Sequence, residues 1–444
     1  MKTPIADFVK KYAESDISRF HMPGHKGKTF LGCESLDITE INGADVLYSA
    51  SGVIAESEEN AASLFGTAHS FYSTEGSTLV IKAMLAIMKK NAPDGKRTRI
   101  LAARNAHKAF IYACALLDLD VSWLYPDNFT HLCACNISCE KLEEAILTSL
   151  PDAVYITSPD YLGNLSDVKA FSDICHKHGI PLLVDNAHGA YLAFLKNSLH
   201  PIALGADMCC DSAHKTLPVL TGGAYLHISN NYDAPSHEAI RSTLSLFAST
   251  SPSYLILQSL DLCNAYLAER FCVRLEECVK RSKKLREKLK AIGFAPLEDT
   301  EELKLVFSSD TCGYSGDELA DILRNNGIEP EFSDRDMLVL MLSPELEEKD
   351  YDRLVKVISS LPKRTTAKRL FPAPSHPKQV LSVREAIFGK SELILTDKAL
   401  GRICAAPTVA CPPAIPIVVS GELIDEKAVE LLRYYGIEKI EVVK

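Results

Sequence analysis

Lys215 stands in Asp211-Ser212-Ala213-His214-Lys215-Thr216, directly after an apolar stretch that reads as a strand. Upstream, a second apolar run, Pro181-Leu182-Leu183-Val184, ends in Asp185-Asn186-Ala187-His188-Gly189. A lysine amine can form a Schiff base with an aldehyde. A buried carboxylate can keep a pyridine nitrogen protonated, so that the ring accepts electrons. An amine and a carboxylate, each at the end of a buried strand, are what pyridoxal phosphate (PLP) chemistry requires. Lysines and aspartates are common, and it is the pair in this order that is informative.

The phosphate of such a cofactor needs convergent donors. Thr74-Glu75-Gly76-Ser77-Thr78 opens a predicted helix, whose first amides and hydroxyls can meet an anion. Ser77 or Thr78 can also serve as an ordinary N-cap there. Ser212 and His214, three residues and one residue before Lys215, can add donors to the same phosphate. His107 starts a helix just past a strand end, where an imidazole can stack on a pyridine face or simply cap the helix. His188 can buttress Asp185 or the cofactor. His21 and His25 are separated by Pro23 and Gly24, which excludes a helical metal-ligand face. Cys133-Ala134-Cys135 and Cys209-Cys210 lack C-x2-C spacing, so no metal is expected.

The elements that must position these groups alternate in type from about residue 70 to 230. The pattern predicts helices over Ser77 to Asn91, His107 to Leu117, Cys139 to Leu150 and Val168 to His178. Between them lie strand-like runs at Arg99 to Ala102, Val121 to Leu124, Ala153 to Ile156 and Pro181 to Val184. Such alternation indicates an α/β fold with a mostly parallel sheet covered on both faces. Ligands on these sheets sit beyond the carboxyl ends of the strands, where Asn105 to His107, Ser158 to Asp160, Asp185 and Ser212 to Lys215 fall. Leu257 to Ile292 is strongly helical, and its basic run Lys280 to Lys284 reads as a solvated face rather than an anion site. A smaller α+β unit follows, with strands at Lys304 to Phe307 and Met337 to Leu340 around a helix Gly316 to Asn325. A proline-rich join (Pro372, Pro374, Pro377) leads to a final helix and strand.

The 444 residues suit two or three domains, and 47% hydrophobic residues can fill their cores. A net charge of −10 argues against nucleic acid and anionic membrane surfaces and is compatible with a cationic small substrate. No stretch approaches the roughly 20 apolar residues of a membrane span. Fourteen cysteines without an apolar leader point to reduced thiols and a cytoplasmic setting.

The chain resembles the PLP-dependent ornithine/lysine/arginine decarboxylases, in a short form. The resemblance runs nearly end to end. It is carried by Phe20-His21-Met22-Pro23-Gly24-His25-Lys26-Gly27, Leu36 to Glu40, Ala103 to Lys108 and Thr157 to Gly163. Asp185 to Ala190, Asp211 to Thr216, Arg384-Glu385-Ala386, Gly401-Arg402-Ile403, Pro412 to Pro416 and Gly421-Glu422 complete it. It implies fold type I of the PLP-dependent transferases, with a seven-stranded type of sheet between helices and smaller α+β C-terminal domains. The implied division is 1–60 (N-terminal arm and dimer segment), 61–300 (PLP-binding major domain), 301–370 (small α+β domain) and 371–444 (C-terminal domain). By resemblance Lys215 tethers PLP, Asp185 meets its ring nitrogen and His107 lies on its ring face. Ser212, His214, Gly76 and Ser77 fall near the phosphate, and His188 near the cofactor. A homodimer or larger assembly is implied, with Glu422 near the entrance to the partner's site and available to a cationic side chain.

Several positions depart from the family pattern. Glu75 precedes Gly76 where the phosphate loop usually has Asn, so its carboxylate must point away from the phosphate. Asn186 replaces the Glu of Asp-Glu-Ala-His, Tyr191 replaces a frequent His, and Cys411-Pro412-Pro413-Ala414 replaces Tyr-Pro-Pro-Gly. The expected reaction is decarboxylation of arginine, lysine or ornithine to an amine and CO2, as in polyamine biosynthesis. The alternatives are another enzyme of the same fold (an aminotransferase, with Arg384 or Arg402 as carboxylate clamp, or a β-eliminating lyase) and a non-catalytic PLP-fold protein. Measuring CO2 against keto acid separates the first two.

Overall fold

The computed structural model describes residues 1–92, 96–365, 371–372, 375–407 and 414–444. Pro374 and Cys411-Pro412-Pro413 lie outside the described residues. The chain opens with helices α1 (Pro4–Ala13) and α2 (Val53–Phe65), then β1 (His69–Ser73), α3 (Gly76–Asn91) and β2 (Arg99–Ala103). Next come α4 (Lys108–Leu117), β3 (Asp120–Leu124), α5 (Cys139–Ser149), β4 (Ala153–Thr157), α6 (Val168–Lys177) and β5 (Leu182–Asp185). They are followed by β6 (Met208–Asp211), α7 (Ala213–Thr216), β7 (Ala224–Ile228), α8 (His237–Ser245) and α9 (Tyr254–Tyr266).

The main sheet has seven strands in the order β1-β7-β6-β5-β4-β2-β3. β2, β4, β5 and β6 pair in parallel, while β7 runs antiparallel to both β1 and β6. The carboxyl ends of β1, β4, β5 and β6 therefore share one edge with the start of β7. Central strands of such a sheet are covered on both faces, which explains the unbroken apolar runs. Leu182, Leu183 and Val184 are wholly buried, each contributing about 1.5–3 kcal/mol of apolar transfer. The flanking helices are amphipathic instead. In α6, Val168, Phe171, Ser172 and Cys175 are buried, and Asp167 caps the helix by accepting from the Ala170 amide.

The chain forms two compact units. The first comprises Met1–Ala102, Cys139–Ser158 and Asp167–Cys272, and the second Ala103–Ser138, Pro159–Ser166 and Val273–Lys444. The second unit holds a three-stranded antiparallel sheet, order β8-β10-β9, from β8 (Lys304–Ser308), β9 (Phe332–Ser333) and β10 (Met337–Met341). It also holds an antiparallel pair, β11 (Ser391–Leu395) with β12 (Lys439–Val443), packed under helix Glu426–Tyr434. The basic run pairs with acidic neighbours, Lys280 with Glu276 and Lys283 with Glu302, as a solvated helix face does.

Candidate active site

Asp185 is the last residue of β5, and Lys215 follows the end of the adjacent parallel strand β6 within the short turn α7. Lys215 Nζ lies 3.1 Å from His188 Nε2, so the turn after β5 and the turn after β6 meet at that amine. Asp185 is 2% exposed. A carboxylate so buried keeps its charge only if donors replace water. Tyr155 Oη donates to Oδ2 at 3.1 Å, and the Ala187 amide and the Cys210 thiol donate to Oδ1 at 3.2 and 3.4 Å. Tyr155 reaches it because β4 and β5 run in register, Tyr155 beside Leu183. Neither Tyr155 nor Cys210 carried a signal in the sequence, since each is recruited across the sheet.

At the same edge β1 runs into α3. Ser212 Oγ donates to Ser77 Oγ at 2.7 Å, which ties the turn after β6 to the first turn of this 16-residue helix. Gly76 holds φ of +74°, and a Cβ there would meet nothing within 4 Å, so space is open in front of the helix. The Gly76 amide itself donates to Gly222 O at 2.7 Å. His214 Nδ1 donates to Gly223 O at 3.0 Å, which leaves Nε2 as the nitrogen facing elsewhere. The expected N-cap by Ser77 or Thr78 is corrected. Glu75 occupies the N-cap position without a side-chain cap, and the helix begins at Gly76, one residue before Ser77. Glu75 is turned away, its Oε1 accepting from the Ser249 amide at 2.6 Å.

The first unit thus brings together Lys215, Asp185, His188, Ser212, His214, Gly76 and Ser77. His107 belongs to the second unit, where it is the N-cap of α4 and its Nδ1 accepts from the Ala109 amide at 3.1 Å. Glu422 also lies in the second unit, 1% exposed, with Oε2 bonded to Arg104 at 3.0 Å and to the Val419 amide at 2.6 Å. Burial pushes the Glu422 carboxyl above its ordinary value, against the pull of the Arg104 guanidinium. Arg384 donates to the carbonyls of Ala115 and Leu116, and Arg402 to Glu392 and the Val443 carbonyl. Both arginines are committed to structural bonds. His21 and His25 part company, His21 Nε2 pairing with Tyr12 and His25 Nε2 with Asp37.

The groups present fit PLP in type and in place. They offer an amine for an aldehyde, a buried and hydrogen-bonded carboxylate for a ring nitrogen, and hydroxyls at a long helix N-terminus for a phosphate. The comparisons agree. Residues 3–311 match the family model "Orn/Lys/Arg decarboxylase, major domain", and residues 358–440 match its C-terminal domain. The protein YaaO of Bacillus subtilis is 30% identical over 97% of this chain and 94% of its own length. An arginine decarboxylase of the same organism is 28% identical over 97% of this chain and 93% of its own. The constitutive lysine decarboxylase of Escherichia coli superimposes with a TM-score of 0.79 at 18% identity, covering 100% of this chain and 82% of that one.

Proposed function

The chain belongs to the Orn/Lys/Arg decarboxylase family, and from that premise we infer that it is a PLP-dependent decarboxylase releasing CO2 and an amine from a basic amino acid. The observation that carries the reading is the meeting of Lys215 Nζ with His188, three residues past Asp185, at adjoining strand ends. When bound, PLP supplies the electron sink for the pair left as the bond between Cα and the carboxylate breaks.

The residues of this chain do the rest. Lys215 Nζ is the tether, and with His188 Nε2 it forms a short path for moving a proton at the reacting carbon. Asp185, hydrogen-bonded by Tyr155, Cys210 and the Ala187 amide, is the group that would hold a proton at the ring nitrogen of a bound cofactor. Ser212, Ser77, His214 and the first turn of α3 hold the phosphate, with Glu75 facing away. His107 is assigned to the ring face by resemblance; Glu422, which the resemblance offers to a substrate cation, is buried and bonded to Arg104 within this chain and supports that role no more than the two arginines support theirs. With Arg384 and Arg402 committed elsewhere, the two arginines a transaminase reading would use are occupied, which favours decarboxylation.

Arginine heads the substrate order, because a full-length relative carries that activity in its name. The amine product suits polyamine biosynthesis in a cytoplasm, and among the described residues no helix is long and apolar enough to cross a membrane. A homodimer is supported by the arm within residues 1–60, where Phe20, Phe30 and Leu31 are 96%, 80% and 89% exposed. The four-part division at 60, 300 and 370 is retained on the same resemblance. The test is a panel of the twenty amino acids with PLP supplied, scored for CO2 and for keto acid. CO2 from a basic amino acid supports the reading, and keto acid without CO2 replaces it with transamination.

A further inference from the structure

Behind the strand end that carries Lys215 lies a second cluster that this chemistry does not use. Cys209 and Asp211 project from one face of β6, His227 from the facing position on β7, and His200 from the loop before β6. All four are buried, at 0–1% exposure. His200 Nε2 lies 3.1 Å and His227 Nε2 3.3 Å from the same Asp211 oxygen, Oδ2. Cys209 Sγ lies 3.8 Å from His200 Nε2, and the ligand atoms of His200, Cys209 and Asp211 are all within 4.8 Å of one another. His227 Nε2, though fully buried and aimed at this point, makes no directed hydrogen bond.

We propose that Cys209, Asp211, His200 and His227 form a structural zinc site. Zinc bonds of about 2.0–2.3 Å give tetrahedral ligand–ligand edges of about 3.3–3.6 Å. The ligand atoms of His200, Cys209 and Asp211 already stand within 4.8 Å of one another, and His227, 3.3 Å from Asp211 Oδ2, has to move in to complete the set. The donor set of one sulfur, two imidazoles and one carboxylate is the kind zinc takes. Charge argues the same way. Asp211 is sealed from water, and its ion-pair partners among the described residues are the two histidines. Zn2+ with a Cys209 thiolate, the Asp211 carboxylate and two neutral imidazoles sums to zero, as a dry site requires. Outer partners are in place for two ligands. Ser70 Oγ meets His227 Nδ1 at 2.7 Å with Thr67 behind it, and Asn186 Nδ2 donates to Asp211 Oδ1 at 2.6 Å. His200 Nδ1 has no such partner among the described residues. Phe65 covers the cluster, its ring 4.4 Å from that of His227 and 5.5 Å from that of His200.

The sequence hid the set because its members stand nine, two and sixteen residues apart and meet only through strand pairing. The metal would clamp β6 to β7 and, through Asn186, brace the turn that follows Asp185. It stands apart from the decarboxylase reading, which survives if the zinc site does not.

The experiment uses the full chain without a histidine tag, grown in zinc-supplemented medium and analysed for metal content. Wild type should carry about one zinc per chain, and Cys209→Ala and His227→Asn below about a tenth. Because the site is sealed, chelator should remove the metal only through unfolding. Wild type unfolded with chelator should therefore refold to a higher Tm with zinc than without metal. Refolded with Co2+, it should show a thiolate-to-metal absorption that Cys209→Ala lacks. Less than about a tenth of an equivalent in wild type, both as purified and after refolding with zinc, overturns the site. So does a zinc content that both variants leave unchanged. If a variant does not fold, the refolding comparison on wild type decides.

Discussion

Asp185 shows how a buried carboxylate finds hydrogen-bond donors where water is absent. Its three donors come from three places, the neighbouring strands β4 and β6 on either side and the amide two residues further along. Removing the carboxylate removes the group that holds the ring proton, so Asp185→Ala should cut CO2 release by at least about a thousandfold. Removing one donor is milder. Tyr155→Phe should cost about 1–1.5 kcal/mol, close to tenfold in kcat, with KM little changed. Steady-state kinetics at saturating PLP checks both, and a Tyr155→Phe effect confined to KM would contradict the role. Glu75→Gln should leave kcat within about twofold, since that carboxylate already faces Ser249 rather than the helix mouth. Lys215, Asp185 and the serines were legible because their chemistry sits in contiguous motifs. Tyr155, Cys210 and the histidines around Asp211 were not, because only the register of neighbouring strands makes them neighbours.

At the scale of elements, the buried parallel strands and amphipathic helices between residues 76 and 185 announce themselves by period, and their observed limits fall within one or two residues of expectation. The apolar run from Leu257 hides more. It resolves into α9, a π turn at Leu267–Phe271 and a helix Cys272–Ala291, a change of winding that periodicity does not encode. Part of the anchor of the N-terminal helix α1 lies far along the chain, beyond the reach of local pattern. Asp261 of α9 accepts from the Ala6 amide at 2.9 Å and from Ser57 Oγ at 2.6 Å. Burial outweighs these donors and pushes Asp261 up to about 6 from its ordinary 3.8. With the folded value raised, the proton is bound more tightly in the native state. The group's stabilising contribution is thus full below about pH 4 and lost as pH rises through about 6. Asp261→Asn should therefore flatten the fall in Tm across that window, measured by calorimetry at a series of pH values. An unchanged slope would show that Asp261 is not the titrating group.

For the whole molecule, the segment around Phe20, Phe30 and Leu31 presents large apolar side chains to solvent in an isolated chain. Such exposure is explained if a second copy covers it. Phe20→Ser combined with Leu31→Ser should shift the protein towards monomer by light scattering, whereas an unaltered mass would place the dimer contact elsewhere. The account as a whole rests on one amine at the end of β6 and its use in releasing CO2. The direct measurement is CO2 evolved from arginine, lysine and ornithine, with PLP supplied, by wild type and by Lys215→Ala at equal folded concentration. Wild type should release CO2 from at least one of the three, and Lys215→Ala from none. Normal turnover by Lys215→Ala, or no CO2 from any of the three by wild type, would contradict it.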